Sequence, residues 1–166
     1  MRETVLKDIF RAVLGTSAAV LLYSLAGSAG PSVLVVLNAF SVVVVTFSVR
    51  RGEVFGAFLG TACGLAQDAF SLSVFGLAGL TKTLLGFFTG YVARRIDISP
   101  FPRAGAFLLV VSTLELGAWM LLSAVVRQEP VNLHGGLILL QPPVTALLGV
   151  ALIAAERRIL ARRRET

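Results

Sequence analysis

The stretch that decides the fold is Arg50-Arg51-Gly52-Glu53-Val54-Phe55-Gly56-Ala57-Phe58-Leu59-Gly60-Thr61-Ala62-Cys63-Gly64-Leu65-Ala66-Gln67-Asp68. Gly52, Gly56, Gly60 and Gly64 recur at every fourth position, and Asp68 takes the next place in the series. On a helix of 3.6 residues per turn the series drifts by about 40° per step, so it winds as a groove along one side. In a soluble helix each glycine would cost about 1 kcal/mol relative to alanine. Lipid changes that balance, because it removes the hydrophobic drive between helices and makes association depend on close backbone approach across small residues. The stretch reads as a membrane helix whose bare side receives a neighbour, with a carboxylate at its far end.

The rest of the chain agrees with that solvent. Of 166 residues, 56% are hydrophobic and 14% charged, against roughly 25% charged in a soluble domain, and the mean hydropathy is +0.86. This implies one integral membrane domain covering residues 1–166. Cys63 is the single cysteine, so no disulfide can form within the chain. The net charge of +6 could suggest nucleic acid. The basic residues, however, cluster where helices would leave the membrane, which points to anionic lipid headgroups and away from nucleic acid.

Hydropathy predicts an all-α polytopic bundle of six transmembrane helices, at about Ile9–Ala26, Ser32–Val49, Glu53–Asp68, Val74–Val92, Phe101–Val126 and Leu137–Ala155. Each comes near the roughly 20 residues needed to cross about 30 Å of hydrocarbon. The first resembles a signal peptide, but Glu3 and Asp8 dilute that pattern and it is read as a span. In the last, Pro142 and Pro143 either kink the helix near its outer end or form its first turn, with Leu137–Gln141 at the interface. Apart from Arg127 and Lys82, the 15 basic residues fall on one side: Arg2, Lys7 and Arg11; Arg50 and Arg51; Arg94, Arg95 and Arg103; Arg157, Arg158, Arg162, Arg163 and Arg164. The positive-inside rule then expects both termini in the cytoplasm of a multi-pass protein.

Three ionisable residues fall inside spans, where each costs about 2.5–3.5 kcal/mol on insertion scales. Counting 1.5 Å per residue puts Asp68 roughly 24 Å above Gly52, and Lys82 and Glu115 at similar heights in the outer half. Lys82 is expected to pair with Glu115, with Asp68 just above, in one polar cluster between the third, fourth and fifth spans. The cluster is read either as a structural ion pair fixing helix register or as a ligand site or switch. Gly79, Gly86 and Gly90 share one side of the fourth span, so close packing between the third and fourth helices is expected there. Whether the glycine surface serves internal packing or a partner stays open. Glu53, Asp97 and Glu129 are read as solvated. His134 and Asn132 lack a cysteine or second histidine for a metal site.

Catalytic patterns are missing: there is no Walker-type loop, no Gly-x-Ser-x-Gly elbow and no His-x-x-x-His pair. The residues carry a resemblance instead. Arg51-Gly52, Gly56-Ala57-Phe58-Leu59-Gly60, Gly64-Leu65 and Gln67-Asp68, followed by Phe75-Gly76-Leu77 and an apolar helix to Gly90-Tyr91, resemble the signature region of MreD, the rod shape-determining membrane protein family. The match covers about residues 50–95; elsewhere only the layout agrees, Pro31-Ser32 stands where a more polar start would be expected, and Lys82 and Glu115 have no place in the family pattern. The resemblance implies a non-enzymatic component of the bacterial inner membrane, within the machinery of cell elongation. Its implied partners are MreC and, through it or directly, the RodA glycosyltransferase with its penicillin-binding partner and MreB. It also implies a fold similar to the S component of energy-coupling-factor vitamin transporters.

Two expectations follow. One is a scaffold that holds the membrane helix of MreC against its glycine-lined surface and supports peptidoglycan synthesis and rod shape. The alternative is an S-component-like subunit with a small molecule, such as a vitamin, near Asp68, Lys82 and Glu115. No catalytic residue, metal or cofactor is assigned in either.

Overall fold

The computed structural model describes residues 2–30, 33, 36–71, 74–96, 101–127 and 134–162. These residues form six α-helices and no strand: α1 (Arg2–Ala29), α2 (Ala39–Arg51), α3 (Glu53–Ser71), α4 (Leu77–Ala93), α5 (Phe101–Arg127) and α6 (Gln141–Arg162), the last preceded by a 3-10 segment, His134–Leu140. The all-α class expected from hydropathy is therefore the observed one. Pro31, Ser32, Asp97, Glu129, Asn132, Arg163 and Arg164 lie outside the described residues.

By length and apolarity, Pro102–Val126 and Gly136–Ala155 could each cross a bilayer, while Ala12–Ser28 is apolar but shorter. The other helices fall short for visible reasons. α2 has 13 residues, about 20 Å of helix against about 30 Å of hydrocarbon. α3 carries Glu53, Gln67 and Asp68, and α4 has 17 residues with Lys82 among them.

Two of the expected spans need correction. The second is not one unbroken helix, since neither Leu37 nor Asn38 is helical, and Asn38 caps α2, its side chain accepting the N–H of Ser41 at 3.2 Å. Nor does the fourth start at Val74, since the backbone turns through Gly76 at φ +94° before α4 begins. At the last span, Pro142 and Pro143 sit in the first turn of α6, after the 3-10 segment, where no intrahelical donor is required of them.

α2 is the centre. Ala39, Phe40, Ser41, Val42, Val44, Val45, Thr46 and Ser48 are all buried, and α1, α3, α4 and α6 pack around it. α2, α4, α5 and α6 close into a ring, each touching the next; α3 lies outside against α2 and α4, and α1 against α2 and α3. α1 docks through Ala12, Ala19 and Ala26, buried at heptad spacing along one face. Gly149 of α6 lets Leu108 of α5 in: a Cβ there would come within 2.9 Å of its Cδ1.

The glycine groove is filled by α4. A Cβ on Gly56 would strike the carbonyl oxygen of Gly86, one on Gly60 that of Lys82, one on Gly64 that of Ala78, and one on Gly90 the backbone of Gly52. Each four-residue step along α3 thus meets a four-residue step back along α4, in antiparallel register. Gly79 belongs to the same seam, its Cα against Gly64 and its open side facing Leu65. Gly52 is needed twice over, for its φ of +87° and because the Arg94 guanidinium occupies the place a Cβ would take. Of the two roles left open for this surface, internal packing is the one observed: the neighbour along it is α4 of the same chain.

Candidate functional site

Lys82 is 1% exposed, yet its ammonium is completely engaged. Nζ donates to Glu115 Oε1 at 2.6 Å, to Ser41 Oγ at 2.6 Å and to Asn38 Oδ1 at 3.1 Å. An ammonium has three protons, so three acceptors complete it. Ser41 in turn donates its hydroxyl to Glu115 Oε1 at 2.5 Å, closing a small ring of lysine, serine and glutamate. The elements converge because α2, α4 and α5 each supply one wall, and Leu85, Val44 and Leu108, all buried, form the apolar packing nearby on the same helices.

Asp68 has another task. Also buried, it stands in the last turn of α3 and accepts the backbone N–H groups of Gly76 and Gly79 on Oδ2, at 2.9 and 3.1 Å, and of Ala78 on Oδ1, at 3.1 Å. Those donors open α4, whose Gly76 has no side chain to cap them. A carboxylate satisfies both the free N–H groups and the positive end of the helix dipole. The single cluster expected from sequence is corrected here to two sites: Lys82 with Glu115, and Asp68 with the start of α4. Helix geometry explains the split, because Asp68 is the next step of the glycine register, and that register delivers it to the first turn of α4.

The solvated reading of Glu53 is also corrected. Its Oε1 accepts from Arg94 Nη1 at 3.1 Å, and Arg94 Nη2 donates to the Arg51 carbonyl at 3.2 Å, so this pair clamps the α2–α3 turn to the end of α4. It is far more open than the internal pair, with Arg94 59% exposed. Exposed pairs of this kind contribute about 0–1 kcal/mol.

Asn38 and Ser41 escaped the sequence reading. Asn38 did carry a signal, an amide within an otherwise apolar run, which inside lipid requires a partner. Ser41 carried none, since serines in spans usually bond their own backbone, as Ser48 does to the Val44 carbonyl at 2.6 Å. Two other buried hydroxyls, Thr89 Oγ1 and Ser112 Oγ, have no hydrogen-bond partner among the described residues. The site thus consists of a cation, a carboxylate, an amide and a hydroxyl bonded to one another. It suits register and rigidity, because bonds from three helices meet in it.

Comparison with protein-family models, curated proteins and solved structures yields no match to this chain.

Proposed function

We propose that this chain is a non-enzymatic, multi-pass membrane scaffold of the MreD type, with six spans and both termini on the arginine-rich, cytoplasmic side of a bacterial inner membrane. One observation carries the reading, the inverted polarity of the bundle. Its interior holds Asn38, Ser41, Asp68, Lys82, Thr89, Ser112 and Glu115, while Phe58 is 75% exposed, Leu147 71%, Leu114 68%, Phe10 67% and Leu25 65%. Water would penalise so much apolar surface, which in soluble monomers is confined to patches of a few hundred Å². Lipid accommodates it on all six helices, including those too short or too polar to qualify alone.

The partner assignment rests on the resemblance across residues 50–95. In this proposal the chain binds MreC and through it supports peptidoglycan synthesis by RodA and its penicillin-binding partner, in line with MreB. With α4 lying in the glycine groove, MreC meets an outward apolar face rather than the bare side of α3. The vitamin-binding alternative is the weaker one, because the groups it would use on a ligand are bonded within the chain: Lys82 to three acceptors and Asp68 to three backbone donors.

The test is purification of the tagged chain in mild detergent after crosslinking in the membrane of its own host. Recovery of MreC supports the assignment. A membrane-embedded chain that carries no MreC removes it, and a co-purifying vitamin would favour the alternative. Phosphatase fusions active after Gly30 and silent at Thr166 would support the topology.

A further inference from the structure

The arginine-rich end of the bundle is built from two turns that the fold brings together. Arg94 reaches from the end of α4 over Gly52 to Glu53 and the Arg51 carbonyl. Arg50, Arg51, Arg94 and Arg95 thereby share one rim, all exposed, and Glu53 is the carboxylate described among them.

A second feature runs along α4 into this rim. Phe87 and Tyr91 stand four residues apart on one face of α4, and Arg95 follows at the same spacing in the turn just beyond its end. The Phe87 and Tyr91 rings stack at 6.2 Å with 12° between their planes, and the Arg95 guanidinium carbon lies 4.3 Å above the Tyr91 ring. Phe88 meets Phe87 edge-on at 5.8 Å. These side chains are turned outward, with Phe88 55% exposed, Phe87 41% and Tyr91 39%. Stacking holds a guanidinium that would otherwise sample many rotamers. The result is an apolar wall of helix that ends in an oriented cation, one residue from a second.

We propose that this edge of α4 binds one anionic glycerophospholipid. Its phosphate takes N–H donors from Arg95 and Arg94, its glycerol lies beside Tyr91, and an acyl chain runs along Phe87 and Phe88. Guanidinium forks match phosphate oxygens in pairs. The excess of arginine over carboxylate selects an anionic headgroup, because a zwitterionic one would bring its own ammonium against the rim. An arginine at a helix C-terminus also complements the helix dipole. The dipole alone, however, calls for neither the aromatic ladder nor the second arginine. The proposal rests on the membrane reading given above and adds to it a defined lipid site.

Native mass spectrometry tests it on the full chain in mild detergent, equilibrated with equal amounts of phosphatidylglycerol and phosphatidylcholine. The wild type should retain phosphatidylglycerol at least about tenfold over phosphatidylcholine. Arg95→Gln should lower that preference about fivefold, the factor carried by one juxtamembrane arginine. Tyr91→Leu keeps an apolar side chain but frees Arg95, and should lower the preference by less. Arg103→Gln, changing an exposed arginine at the start of α5, should leave it unchanged, and circular dichroism should show full helix content for every variant. Equal retention of the two lipids by the wild type, or a preference that Arg94→Gln and Arg95→Gln together fail to reduce, overturns the site. Loss of the chain from the membrane fraction would instead overturn the membrane reading and the site with it, so the two failures are distinguishable.

Discussion

Replacing Lys82 by methionine isolates what the buried ion pair does. The change removes three hydrogen bonds, to Glu115, Ser41 and Asn38, and leaves Glu115, 7% exposed, with the Ser41 hydroxyl as its one described donor. Breaking a buried pair by removing one partner costs about 3–5 kcal/mol, most of it from the stranded charge, and Lys82→Met should fall in that range. Glu115→Met should cost about as much, for the mirror-image reason. The double variant Lys82→Met/Glu115→Met strands no charge and should lie within about 2 kcal/mol of the wild type, more stable than either single change. Unfolding in mixed micelles by stepwise addition of dodecyl sulfate gives the numbers. Trp119, the single tryptophan, lies one turn from Glu115 on α5 and serves as reporter. Near-neutral single variants, or a double variant as unstable as the sum of the two, would refute the claim that these residues stabilise the bundle as a pair.

The same assay checks five further changes. Gly60→Ala and Gly86→Ala each drive a methyl group into a backbone carbonyl of the facing helix and should destabilise by about 1–3 kcal/mol. Gly117→Ala meets nothing within 4 Å and should be neutral or stabilise by up to about 1 kcal/mol. Asp68→Ala removes the acceptor for three N–H groups of α4 and should cost about 2 kcal/mol. Amide exchange should then rise first at Ala78 and Gly79. Ser112→Ala deletes a buried hydroxyl without a described partner and should be neutral or slightly stabilising, whereas a loss above about 1 kcal/mol would mean that the hydroxyl is bonded.

The glycine series made the α3–α4 seam legible, because glycines recurring along one side of each helix state the contact without reference to anything else. Lys82 and Glu115 were legible as a pair since two opposite charges at one depth in lipid have few other remedies. Asp68 was misplaced for an instructive reason. Counting height along a helix gives depth but not azimuth, and the carboxylate points along the glycine seam to α4 rather than toward α5. The break at Asn38 was hidden because hydropathy averages over about 20 residues and a single amide barely lowers the mean. Charge alone placed Glu53 in solvent. Its partner Arg94 is 41 residues away, and that proximity is a product of the seam.

The two buried carboxylates share a physical role that sequence position conceals. Asp68 stands at the first turn of α4, and Glu115 accepts from Ser41, the third residue of α2 after the Asn38 cap. Both helices open on buried residues, Ala39 and Leu77, so their first free N–H groups need partners within the protein. An anion beside each start is favourable, and a cation alone beside α2 would not be. Lys82 is therefore tolerable next to Asn38 only because Glu115 comes with it. That requirement ties α5 to the short central helix and α4 to both. It also explains why the two buried carboxylates serve helix starts, while the glycine seam, whose backbone groups are bonded within their own helices, carries no charge of its own.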